Sequence, residues 1–204
     1  MAFGCPMEAI AQLELAYFLF KAGVSDFHGC VDWAIERLTR DEESGDSDVV
    51  RLAAATQREE VLALVEKVIE RYVDPAACDD QLVAGKYVAA LHEKYLGQSV
   101  SVTSLDAIFT MLSIYLVYPD WLVILSRNCE YATDRAYFSV PFEREFAYVA
   151  GLWASVTSHS EFEGKYRRAM SEQKTGLGDI ACVAVSHPAR EWVEPLLRSG
   201  NDRS

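Results

Sequence analysis

The sequence predicts an all-α fold, either a single multi-helix bundle or a domain of stacked helical pairs, on three observations. Apolar residues recur every three to four positions through most of the 204-residue chain, the spacing that gives a helix one apolar face. Ala107 to Tyr118 (AIFTMLSIYLVY) carries no charge and is expected to form a buried central helix wrapped by amphipathic ones. Proline, glycine and short polar clusters then divide the chain into helix-length pieces.

Pro6 suits a first helical position and Gly23 a stop, so a helix is expected over about 7–22, with Ile10, Leu13, Tyr17 and Phe20 on one face. Ser25-Asp26 offers an N-cap for a second helix, whose stripe is Phe27, Cys30, Val31, Ala34, Ile35 and Leu38. The stretch DEESGDSD (41–48) reads as a loop and Val49–Ala55 as a short helix. Thr56 and Glu59 stand at capping-box spacing before a stripe of Val61, Leu64, Val65, Val68, Ile69 and Tyr72.

A fifth helix is expected from about Asp79 to Leu96, with Ala84, Tyr87, Val88, Leu91 and Tyr95 on one face and Gly97 as its stop. Ser104 or Thr103 should cap the central helix. Pro119 should start another helix, carrying Trp121, Leu122, Ile124 and Leu125, with a break near Asn128 or Tyr131. Pro141 opens a helix with Phe142, Phe146, Val149, Ala150 and Trp153 inward, and a shorter helix covers 160–172. The segment 176–186 is β-rich and leaves one short strand open near 180–186. The whole is read as one helical domain over 1–204, with a variable C-terminal segment from about 174.

The formal charge is −12 and the pI about 4.8. Residues 1–100 hold 18 acidic and 9 basic side chains, whereas 101–204 hold 13 and 10. A field of this sign repels nucleic acid and anionic lipid and attracts basic proteins. The five cysteines are widely spaced, without a CxxC pair, which argues against a zinc site or a disulfide framework. The N-terminus lacks a basic leader and the uncharged run is too short to span a bilayer. A cytoplasmic location is expected.

No catalytic, cofactor or metal motif emerges. His92-Glu93 opens like a zincin motif, but Leu96 stands where the second histidine ligand would be. Cys30 and His28, two apart on a helix, point away from each other. The carboxylate pairs Asp32/Glu36 and Glu66/Glu70 stand at i, i+4 on polar faces and read as solvated surface.

Three features suggest a partner surface. The loop 41–48 concentrates Asp41, Glu42, Glu43, Asp46 and Asp48, with Asp26 and Asp32 close upstream. Trp33 lies about 130° from the centre of its helix's stripe at roughly 100° per residue. Either a neighbouring helix covers it or it is an exposed aromatic anchor. Tyr131, Tyr137 and Phe138 stand among Glu130, Asp134 and Arg135.

Asp26-Phe27 leading to Val31-Asp32-Trp33-Ala34, then a loop and Asp48-Val49-Val50-Arg51-Leu52-Ala53, resembles the helical immunity proteins of bacterial polymorphic-toxin systems. In those families an aromatic "WA" helix is followed by an acidic gap and an "LA" helix. The likeness covers the first third of the chain. It implies a non-catalytic protein that sits on a toxin and neutralises it. Together with the charge, it makes a basic protein the expected partner, held through Asp26, Asp32, Trp33, Asp41, Glu42, Glu43, Asp46 and Asp48. The competing readings are a helical adaptor scaffold and a small hydrolase-type enzyme whose site gathers His28, His92, His159 or His187 with carboxylates.

Overall fold

The structure, a computed structural model, describes residues 6–42, 45–74 and 78–176. All regular structure among them is helical: α1 (Pro6–Lys21), α2 (His28–Thr39), α3 (Ser47–Ala54), α4 (Arg58–Ile69), α5 (Asp80–Leu96), α6 (Val102–Tyr115), α7 (Asp120–Asp134), a 3-10 turn (Ala136–Phe138), α8 (Ser139–Ala154) and α9 (His159–Gly176). The all-α reading holds. The expected strand near 180–186 lies outside the described residues, as do Cys182 and His187. The chain divides into two units, Met1–Tyr166 and Arg167–Ser204. Of the second, the described part is the end of α9.

In the first unit, α1 to α4 share an aliphatic core built from Leu13, Cys30, Ala34, Leu52, Val61, Val65 and Val68. A second core is aromatic. Trp153 of α8 stacks on Phe162 of α9 at 3.7 Å between ring centroids, and Trp121 of α7 meets Trp153 edge-on at 5.2 Å. Phe146 collects Phe109, Phe142, His92 and Tyr95 around it. The five inward residues expected on α8 are all buried. Pro141 lies in the first turn of α8, where the amide it lacks would have no partner inside the helix.

Several expectations need correction. The uncharged run is not a buried central helix: α6 buries Leu105, Phe109, Leu112 and Ser113, while Met111, Ile114, Val117 and Tyr118 are exposed, Val117 by 81%. Absence of charge permits burial without requiring it. The bridging position belongs instead to α1, which packs on α2, α4 and α5 and sets Phe18 edge-on to Tyr115 of α6.

The face of α2 is also rotated from the expected stripe. Cys30, Val31, Trp33, Ala34 and Arg37 are buried, and Ile35 is exposed. Thr56 and Glu59 form no capping box, because α4 begins at Arg58 after an extended Gln57 that makes no side-chain cap. Ser101, not Ser104 or Thr103, caps α6 by accepting from the Ser104 amide at 3.1 Å. α7 runs unbroken through Asn128 and Tyr131.

Candidate functional site

The carboxylates of the 41–48 segment are largely engaged within the fold. The Asp46 side chain caps α3, accepting from the amides of Asp48 at 2.9 Å and Val49 at 3.3 Å. Arg71 binds Asp46 and Asp48 together, tying the start of α3 to the end of α4. Glu42 pairs with the buried Arg37, whose guanidinium lies 5.8 Å from the centre of the Trp33 ring.

Trp33 itself is 7% exposed. It is part of the core, which corrects its assignment as a partner-binding residue. Asp26 accepts from the His28 amide at 3.0 Å and contacts the His28 ring at 2.9 Å. These two hydrogen bonds, the side-chain one first, hold its carboxyl below the usual range. Asp32 and Asp41 are exposed. Glu43 lies outside the described residues.

A concave feature lies elsewhere among the described residues. α1, the end of α4 and the start of α5 enclose a cleft of about 640 Å³, within the ~300–1,000 Å³ range of ligand pockets. Ile10, Glu14, Tyr17, Phe18 and Lys21 line it from α1, at i, i+4, i+7, i+8 and i+11, a single helical face. Glu66, Ile69, Glu70, Tyr72 and Val73 form the second wall, and Cys78, Asp79, Asp80, Leu82 and Val83 the third.

Five carboxylates, Glu14, Glu66, Glu70, Asp79 and Asp80, face one lysine, Lys21. Three of the five have structural duties. Glu66 accepts the Tyr17 hydroxyl at 2.6 Å. Asp79 caps α5 through the amides of Gln81 and Leu82. Asp80 accepts the Tyr115 hydroxyl at 2.8 Å and lies 3.7 Å from the Lys21 ammonium. That ammonium also stands 4.7 Å over the Tyr17 ring.

Glu14 and Glu70 make no hydrogen bond or ion pair among the described residues. Burial raises the Glu14 carboxyl above its ordinary value. The Cys78 thiol on the same wall is also raised, by burial first and then by the negative charge of Glu14. Burial and the bond to Glu66 push the Tyr17 phenol far up, so it stays a neutral donor. The arrangement suits a cation with an apolar body, since clustered carboxylates, one of them partly withdrawn from water, attract a positive charge and an aromatic face covers its stem.

The sequence places Glu66 and Glu70 on a solvated surface, and both are exposed; it puts Tyr17 on the apolar face of α1 and gives Glu14 and Lys21 no role. A signal was present: Glu14 and Lys21 interrupt an apolar helix on one of its faces.

The described histidines do not converge. His28 stacks on Phe27 at the start of α2, His92 meets Phe146 on α5, and His159 stacks on Trp153 and contacts Glu163. His92 lines a second, wider depression of about 920 Å³ with Tyr95, Val140, Glu143 and Arg144. Among the described residues no group of three His, Cys, Asp or Glu side chains is placed to hold a metal ion, and no helix is long and apolar enough to cross a membrane. Compared with protein-family models, with curated proteins and with solved structures, the chain matches none of them.

Proposed function

We propose that this chain is a protein-binding protein that recognises a basic protein partner, and that it acts as an immunity protein neutralising a toxin. The observation that carries the reading is the charge around the α1/α4/α5 cleft. Five carboxylates meet one lysine on its walls, in the half of the chain where 18 acidic residues face 9 basic ones. Arg71, which holds Asp46 and Asp48, directly precedes Tyr72 and Val73 of the cleft wall in the chain. A negative field accelerates encounter with a basic surface, and the apolar walls supply the hold once water is displaced.

The test is affinity purification of the tagged full chain from its native host, followed by expression of the captured protein alone and together with this one. The expected result is a basic protein that arrests growth alone and is harmless in the complex. Capture of an acidic protein, or of a basic one whose effect the chain does not relieve, overturns the reading.

A further inference from the structure

We propose that the α1/α4/α5 cleft receives a short basic segment of the partner, a lysine or arginine flanked by apolar residues, with its cationic head on Glu14 and Glu70. The proposal rests on the reading above and gives it a site.

Three observations converge. At about 640 Å³ the cleft is larger than one side chain requires, so a segment rather than a lone head group fits it. Its apolar lining (Ile10, Phe18, Ile69, Val73, Leu82) suits the methylene stem of a basic residue and its hydrophobic neighbours. Of the five carboxylates, Glu66, Asp79 and Asp80 already hold a hydroxyl, two amides, and a hydroxyl with an ammonium. Among the described residues no donor occupies the carboxylate oxygens of Glu14 and Glu70. Lys21 is engaged by Asp80 and the Tyr17 ring and forms no ion pair with either of them among the described residues.

A cation reaching Glu14 offsets part of the cost of withdrawing that carboxylate from water. A neutral apolar peptide lacks this gain, and an acidic one meets like charge. Cys78, exposed on the third wall, reports occupancy without being needed for it.

The experiment uses the full chain and an amidated, N-acetylated hexapeptide alternating leucine and arginine. The comparators are its citrulline analogue, which keeps the shape and loses the charge, and agmatine, the free guanidinium amine. Affinity is read by isothermal titration, and occupancy by the rate of Cys78 alkylation followed by peptide mass spectrometry.

The arginine peptide should bind and slow Cys78 alkylation, with Glu14→Gln and Glu70→Gln each weakening binding about tenfold. The citrulline peptide and agmatine should bind at least tenfold more weakly. Equal binding of the citrulline peptide overturns the ionic role, and equal binding of agmatine overturns the segment in favour of a small amine. Peptide binding that leaves Cys78 alkylation unchanged overturns the site. A native basic partner that binds the Glu14→Gln/Glu70→Gln protein as tightly as wild type refutes this inference while leaving the proposed function standing. Circular dichroism of each variant guards against misfolding. Should Glu14→Gln fail to fold, Glu70→Gln at the exposed end of α4 carries the test alone.

Discussion

Gly85 of α5 lies directly beneath the indole of Trp153 of α8: a β-carbon at Gly85 would come within 2.0 Å of Trp153 Cδ2 and 2.3 Å of Cε3. The large ring is fully buried because α5 offers no side chain there, and this contact sets how closely α5 and α8 approach. Gly85→Ala pits two effects against each other. Alanine favours the helix by ~1 kcal/mol, but inserting a methyl group into a filled core costs ~1–3 kcal/mol or more. At 2.0 Å from a ring held by Phe162 and Trp121 the clash wins, so urea unfolding should show a net loss of roughly 2 kcal/mol. Gly151→Ala and Gly164→Ala, where nothing lies within 4 Å of the added carbon, should instead stabilise by ~0.5–1 kcal/mol.

Lys86 acts as the cap of α8. Its ammonium donates to the carbonyl oxygen of Trp153 at 2.8 Å, one of the groups the end of the helix leaves without an amide partner, and to that of Val156 just beyond it at 2.6 Å. A positive charge at this end also complements the negative end of the helix dipole. Lys86→Met keeps the stem and removes the donors. It should cost about 1 kcal/mol, less than the ~1.5–3 kcal/mol of a buried charged hydrogen bond because the residue is exposed. Thermal melts in low and high salt check this: the loss should persist in salt, since hydrogen bonds rather than long-range charge carry most of it.

After α6 the chain turns through two consecutive left-handed residues, Val117 at φ 60° and Tyr118 at φ 57°. For a β-branched residue this conformation costs ~1–2 kcal/mol. Val117 is 81% exposed and has little packing to lose. Val117→Gly should therefore raise the midpoint of thermal unfolding, with a gain of about 1 kcal/mol after the entropy cost of glycine. An unchanged or lower midpoint would show that the valine side chain is held by contacts that offset the strain.

Glu145 is half-buried on α8, and burial raises its carboxyl above the ordinary value. The sign follows from linkage. Between the unfolded and the folded values the native state binds more protons than the unfolded state, so stability falls as pH rises through that window. Glu145→Gln should accordingly raise the unfolding midpoint at pH 7, with the advantage vanishing below the ordinary carboxylate range. Melting curves of both proteins from pH 3 to pH 8 decide it. A constant difference across the range would assign the effect to packing instead.

The helices were legible where one face is apolar and the other charged, as in α4 and α8, because that pattern survives any arrangement of neighbours. Where apolar residues surround the helix, periodicity could not rank the faces. Hence α6 was expected to be central although half of its run is exposed, and the face of α2 was misplaced by the rotation that carries Trp33 inward. The acidic segment was legible as charge, yet its pairing with Arg71 and Arg37 depends on helices brought together only by folding. The cleft was hidden for the same reason. Its walls come from residues 10–21, 66–73 and 78–83, and each alone reads as an ordinary amphipathic or capping segment.

The most direct test of an acidic cleft serving a basic partner is the association rate with the partner isolated from the native host, measured against ionic strength. Wild type should associate quickly at low salt and slow steeply as salt rises. Glu14→Gln/Glu70→Gln should show both a lower rate and a shallower slope. A rate indifferent to salt in wild type would contradict electrostatic recognition of a basic protein by this negative region.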